Sequence, residues 1–316
     1  MKKIIGSLLI ALLASLFLTT GWSAPSGKKT KPVKFGYTCM TMNNPFFVTL
    51  EKAIRQEVEA RGDILITTNP QMDVTLQINQ IEDMITQGIS VIFLNPVDWE
   101  GIRPALNALK RAKVKSVNFD TEVKDMEFVT AYVGSDNRNA GRECGLDLVK
   151  RFPDGGNIII LESPTMNSIN DRIAGFEEAI KGKGFTVVAR QDAKGDLETA
   201  MRTSEDLLQA HGKNIVAIMG GNDPTALGAL AAAYAAGVRN VLIYGVDGSP
   251  DLKKELAKKQ TLIAGTGAQS PISIGKLSAE VAYKILNNQP YEKRTPVPTF
   301  LINADNVGEY GTDGWQ

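Results

Sequence analysis

Asn95 and Asp120 stand 25 residues apart, and Asn222 and Asp247 repeat that interval later in the chain. Both pairs sit where an apolar run hands over to a polar one, as a strand does to a loop and helix. Residues at the carboxyl ends of parallel strands line the ligand crevice of open α/β sheets. The repeat therefore implies two similar halves that carry Asp120 and Asp247 to opposite walls of one cleft. A further group, Asn43-Asn44-Pro45-Phe46-Phe47, lies between the first apolar run and the first helical one. Asn43 or Asn44 can cap that helix, with Pro45 in its first turn. Neighbours on a helix point about 100° apart, so one phenylalanine faces the core and the other is free to face the cleft. The C–H patches of a sugar stack on such a ring, and an amide beside it can bond a hydroxyl.

Other chemistries find less support. His211 is the only histidine; it sits beside Gly212 in a stretch read as an exposed polar loop, and it has no histidine partner for a triad or zinc site. Gly220-Gly221-Asn222 lacks the spacing of a dinucleotide or phosphate loop. Two facing aspartates could form a glycosidase pair, but symmetric placement on two halves fits recognition better than catalysis. No metal-ligand cluster and no cofactor motif stands out. Thirty-five basic and thirty-five acidic residues give a formal net charge of zero, which points away from nucleic acid and anionic lipid and toward uncharged small ligands. Cys39 and Cys144 are read as buried free thiols, with pairing left open by the sequence.

The elements that must position these residues alternate. Strands are expected over 33–40, 64–67, 91–94, 114–119 and 131–134, with helices over 47–61, 76–87 and 102–112 between them. The alternation restarts with helices over 140–152, 169–181, 199–209 and 226–236 and strands over 157–161, 186–190, 215–219 and 241–245. Short apolar strands alternating with amphipathic helices predict parallel sheets covered on both faces. The remaining strand 262–266, helix 273–286 and strand 299–302 are too few for a third domain and return to complete the two sheets. The expected division is an N-terminal lobe of 33–134 plus 270–297 and a C-terminal lobe of 135–269 plus 298–316. Three crossings between them make a hinge.

Ahead of residue 33 lies Lys2-Lys3, an apolar run over 4–18 and small or neutral residues to Ala24. That order predicts a secretory signal peptide over 1–24, followed by a linker over 25–32. The apolar run is shorter than the roughly 20 residues of a membrane span, so the processed protein is not expected to span a membrane. No cysteine follows the run to take a lipid anchor, which places the protein free in the periplasm.

The segments NNPFFVTLEKAI, LNPVD, VNFD, GSDN, DRIAGFEEAI, GNDPTALGAL and GVDGSPD, in that order and spanning the mature chain, resemble the ribose-binding branch of the periplasmic sugar-binding proteins. The resemblance implies the type 1 periplasmic binding protein fold: two α/β lobes, joined by a three-segment hinge, close over a monosaccharide or polyol. It also implies a monomer that hands its ligand to the inner-membrane permease of an ABC transporter; a periplasmic sensor serving a chemoreceptor or sensor kinase is the alternative. The contacts it implies are Asn44, Phe46, Phe47, Asp120, Arg172, Asn222, Asp247 and Gln269. Ionised carboxylates there would accept hydroxyl protons, and the guanidinium and amides would donate back. Taken singly, the aspartates could instead cap helices, and Arg172 could pair with Asp171 or Glu177 on a solvated face.

Two departures from the branch bear on the ligand. Thr121 stands where ribose binders carry an arginine, and the loop 192–197 has no aromatic residue, with Gly195 near the place of a second-lobe ring. The pocket is expected to be wider and less cationic there. Met40 and Met42 flank the first loop and Met166 lies in a second-lobe loop, offering an adaptable apolar patch. A ligand other than plain ribose is expected: a hexose, a deoxy or substituted pentose, or an acyclic polyol.

Overall fold

The computed structural model describes residues 31–316. The expected signal peptide, and residues 25–30 of the expected linker, lie outside the described residues. Ten strands fall into two sets of five: β1 (Lys34–Thr38), β2 (Ile64–Thr68), β3 (Val91–Leu94), β4 (Lys115–Phe119) and β5 (Ala131–Ser135), then β6 (Gly156–Glu162), β7 (Phe185–Asp192), β8 (Ile215–Gly220), β9 (Leu242–Asp247) and β10 (Ile263–Ala268). Late in the chain come β11 (Arg294–Val297) and β12 (Phe300–Asn303). The first sheet has the order β11-β5-β4-β3-β1-β2 and the second β12-β10-β9-β8-β6-β7, the same arrangement strand for strand. The chain is thus an α/β protein of two similar lobes.

The central strand β3 reads as an uninterrupted apolar run because both its faces are covered, every residue of it being buried; four of the five residues of β4 are buried as well, the polar Ser116 and Asn118 among them. The covering helices are α1 (Pro45–Glu59), α2 (Val74–Thr86), α3 (Arg103–Arg111), α4 (Asn137–Arg151), α5 (Asn167–Ile180), α6 (Leu197–His211), α7 (Asp223–Ala235), α8 (Pro250–Leu256) and α9 (Pro271–Leu286). Several start two or three residues earlier than apolar spacing implies, because their first turns are set by caps. Asp73, Asp136, Asp196 and Ser270 each accept a backbone N–H of the turn they open, the usual work of such residues. His211 is half-buried in the last turn of α6 rather than exposed in a loop, since that helix runs farther than expected.

Among the elements that the sequence expectation lacks, the segment 250–256 is helical, and the proline-containing stretch 294–297 is a strand. The latter lies at a sheet edge, where a proline removes no needed donor. In addition, β12 runs antiparallel to β10, with Phe300 opposite Ala268. Strand β11 arrives at the cleft end of the first sheet, and the two residues after it carry the chain straight into the second. Strand β12 therefore starts at the cleft and runs outward.

The chain passes between sheets after β5, after β10 and after β11. The outer two crossings are tied together. Val297 is in register with Ser135, Asp136 N donates to Val297 O at 3.0 Å, and Asn139 Nδ2 donates to Thr299 O at 3.1 Å. Bonded crossings of this kind give rotation of the lobes a defined axis.

Candidate functional site

The cleft ends of both sheets meet around a cavity of about 420 Å³, within the range of roughly 300 to 1,000 Å³ common for small-molecule sites. Asn44 is the N-cap of α1, its Oδ1 accepting Phe46 N at 2.9 Å, and Pro45 occupies the first helical position. Asn44 also lines the cavity, so the capping and cleft-lining readings hold together. Phe46 and Phe47 both line it as well. The sequence expectation divided the two rings between core and cleft; here both are buried members of the core that also border the cavity, standing edge to face at 5.4 Å, which lets two neighbours share one wall.

Asp120 follows β4 directly, with φ +58°, a left-handed conformation that Asp and Asn tolerate better than other side chains. Its backbone is fixed by Tyr132, whose hydroxyl donates to Asp120 O at 2.7 Å. Oδ2 accepts from Asn95 Nδ2 at 3.0 Å and Thr121 Oγ1 at 3.3 Å, whereas Oδ1 is buried with no hydrogen-bond partner. Behind this loop, buried Gln77 of α2 donates to Thr38 Oγ1 and Asn95 O and accepts from Val97 N. Asn118 Nδ2 bridges Leu94 O and Thr121 O. These amides satisfy loop backbone that burial would otherwise leave unpaired.

Asp247 ends β9, the counterpart of β4. Its Oδ1 accepts from Gln269 Nε2 at 2.7 Å and its Oδ2 from Asp223 N at 3.4 Å. Arg172, from α5, is 3 % exposed and reaches between the two aspartates, 3.8 Å from Asp120 Oδ1 and 3.6 Å from Asp247 Oδ1. Its hydrogen bonds go elsewhere, to Asn137 Oδ1 at 2.8 Å and Gly221 O at 3.0 Å. That uses two of its five N–H donors. Asp171 bonds Asn167 and Glu177 pairs with Arg190, so neither takes Arg172 to the surface.

Arg172 is held by close helix packing. A Cβ on Gly141 of α4 would overlap the carbonyl of Arg172, and one on Gly175 would overlap that of Arg138. The two helices meet backbone to backbone.

Burial raises the pKa of Asp120, with Arg172 opposing. It raises Asp247 to about 8, again against Arg172, with Asp223 and Asp120 adding to the rise. Desolvation disfavours the charged forms, and one guanidinium shared at 3.6 to 3.8 Å does not fully restore them. The site thus favours partners that donate hydrogen bonds to carboxylate oxygen.

Asn222 caps α7, its Oδ1 accepting from Thr225 N and Oγ1 and its Nδ2 donating to Gly195 O at 2.9 Å; it lines the cavity with Met40, Met166 and Gly195. Two expected site residues stand behind the wall instead. Gln269, 1 % exposed, braces Asp247. Thr121 is fully buried, and its hydroxyl meets Ser168 Oγ of the other lobe at 2.6 Å. Nor does Gly195 open a gap: with φ +62°, a Cβ there would lie 3.1 Å from Asn222 Nδ2 and 3.2 Å from Met166 Sδ. The methionine fills the place expected to be widened. An aromatic ring that sequence reasoning missed, Trp315, also lines the cavity; its one visible signal was a large apolar residue in a small, polar tail. The lobes also touch where Trp99 N donates to Thr165 O at 3.1 Å. Among the described residues no cluster of His, Cys, Asp and Glu is arranged to hold a metal ion, and no helix is long and apolar enough to cross a membrane.

Comparison with known proteins gives a consistent picture. Residues 35–290 match the family described as periplasmic binding protein domain. The chain is 32% identical over 310 residues to the ribose import binding protein RbsB of Bacillus subtilis, covering 95% of this chain and 99% of that one. An ABC transporter solute binding protein from Mycobacterium smegmatis, solved with bound glycerol, superposes with a TM-score of 0.84 at 30% identity, over 90% of this chain and 99% of the other. One from Bacillus halodurans with bound myo-inositol gives 0.82 at 26% identity, over 90% and 99%.

Proposed function

The chain belongs to the periplasmic binding protein family, and from that premise we propose that it is the substrate-binding component of an ABC importer for a monosaccharide or related polyol. One observation carries the reading. Asp120 and Asp247 arrive from equivalent strand ends of two lobes, meet a single buried arginine between them, and face a cavity walled by phenylalanines. Carboxylate oxygens accept from ligand hydroxyls, the free N–H groups of Arg172 donate back, and the rings cover C–H faces. A ligand held by one lobe gains the other lobe's contacts on closure, and this difference in affinity drives the closed state. The ligand is bound and released unchanged, in keeping with the binding-protein names of the relatives.

The same reading places the processed protein in the periplasm as a monomer, with an inner-membrane permease as its partner. It favours a hexose, a substituted or deoxy pentose, or an acyclic polyol over plain ribose. In support, the Thr121 hydroxyl is engaged by Ser168, and Met40 and Met166 lay apolar surface beside the polar centre.

The test is a thermal-shift screen of the purified protein against pentoses, hexoses, deoxysugars and polyols. A ligand at 100 times its Kd adds about 2.7 kcal/mol of stability. A large shift with one such compound is expected. A protein refolded free of any co-purified ligand that responds to none of them would overturn the reading, and a ribose affinity far above all others would overturn the preference among sugars.

A further inference from the structure

The chain's last residues are built into the cleft. Lys253, in α8, has no exposed surface, and its ammonium donates to Gly314 O at 2.7 Å and Gln316 Oε1 at 3.2 Å. A buried cation costs several kcal/mol of desolvation unless hydrogen-bonded, and both of these bonds go to the tail. Gln316 Nε2 in turn donates to Asp247 O at 3.1 Å and to Gln269 O. Gly248, at φ +75°, leaves room for that amide, since a Cβ there would run into it. The tail is therefore fastened to the loop that presents Asp247, in the second lobe. Between its anchors, Trp315 lines the cavity and meets Phe46 of the first lobe edge to face, 5.7 Å between centroids at 76°.

We propose that Trp315 is a specificity-determining residue of the cleft, delivered by the anchored tail, and that its meeting with Phe46 ties the shape of the ligand to lobe closure. This rests on the reading of the cleft as a sugar or polyol site. Rings from both lobes then wall one cavity. A ligand with C–H surface toward the indole fills the space and lets the rings meet. One that turns a hydroxyl there buries a polar group without a partner or holds the rings apart. Lys253 and Gln316 are positioning residues that act through Trp315.

The experiment is calorimetric titration of the full chain with the compound giving the largest thermal shift. It compares wild type, Trp315→Phe, Trp315→Ala, Lys253→Met and the double variant Lys253→Met/Trp315→Ala. Trp315→Ala is expected to weaken binding by about 30-fold, the loss usual for a buried aromatic anchor, and Trp315→Phe by much less. Lys253→Met weakens binding when Trp315 is present and adds little when it is absent, a coupling that a merely structural lysine would not show. Should Trp315→Ala fail to fold, Trp315→Leu, which keeps apolar bulk and removes the aromatic face, carries the comparison. Affinity of the Trp315 variant within about twofold of wild type, or losses from the two sites that simply add, overturns the proposal while the sugar site stands. A wild-type protein that binds none of the compounds removes the sugar reading and this inference with it.

Discussion

Replacing Asp120 by Asn separates recognition from folding at a single atom. Oδ2 already accepts from Asn95 and Thr121, while Oδ1 is buried and lacks a hydrogen-bond partner. On the proposed reading, the ligand's share is therefore one charge-assisted bond to Oδ1, worth about 1.5 to 3 kcal/mol. At 1.4 kcal/mol per decade, its loss raises Kd roughly 10- to 150-fold. In the variant, the amide oxygen can keep Asn95 and Thr121, which turns an NH₂ toward the hydroxyl that needed an acceptor. Without ligand, stability should hold or rise, because burial disfavours the charge that the substitution removes. Asn also keeps the φ of +58°; Asp120→Ala should bind as poorly as Asp120→Asn and lose a further ~1 kcal/mol of stability to the left-handed backbone. Calorimetric titration gives the affinity, and thermal melts of the ligand-free proteins give the stability. An Asp120→Asn affinity within twofold of wild type would refute the assignment. A fall in melting temperature that tracks the lost affinity would mean that the substitution acts on the fold.

Binding should tighten with pH. In the ligand-free protein Asp247 is raised to about 8, and donation from ligand hydroxyls favours its ionised form. Binding then releases protons below about pH 8 and weakens on acidification by up to about tenfold per pH unit; constant affinity from pH 5 to 8, with no dependence on buffer ionisation heat, would count against this. The same raised value means that the group's burial penalty, full above about pH 8, is relieved as pH falls toward the ordinary 3.8, so the ligand-free protein should lose stability from this group between those limits as pH rises. Thr121→Val removes the 2.6 Å bond to Ser168 that joins the lobes, worth about 1 kcal/mol; a roughly fivefold loss of affinity, mostly in the off-rate, is expected, and unchanged kinetics would show that the bond does not hold closure. Cys39 and Cys144 are buried and unpaired, with burial lifting Cys39 to about 12 and Cys144 also upward. Both should resist an aromatic disulfide reagent until denaturant is added, and ready labelling of the native protein would contradict their placement.

The 25-residue repeat was legible because it records architecture: its two members span the adjacent strand ends of β3 and β4, then of β8 and β9, and in the first Asn95 bonds Asp120 directly. Strand centres were equally plain, since burial on both faces favours apolar runs, and β3 has the bounds that its run implies. Helix starts were read late because Asp73 or Ser270 acts through a hydrogen bond and leaves no apolar period. Strand β11 has four residues, one of them a proline, and only its pairing with β5 makes it a strand. Side-chain direction was least legible. Position in a motif could not show that Gln269 supports Asp247 from behind, or that Thr121 reaches across to the other lobe. Trp315 carries no such mark, because Phe46, which meets its ring, and Lys253, which fastens the residues on either side of it, are remote in sequence.

The interleaving of the lobes bears on when the protein can fold. The first sheet gains its edge only when β11 reaches β5, and α1 gains its partner only when α9 arrives. The second sheet waits for β12, and Lys253 waits for Gly314 and Gln316. A chain emerging from its N-terminus can finish neither half until these late segments have been synthesised, so the two lobes complete their folding together rather than one after the other.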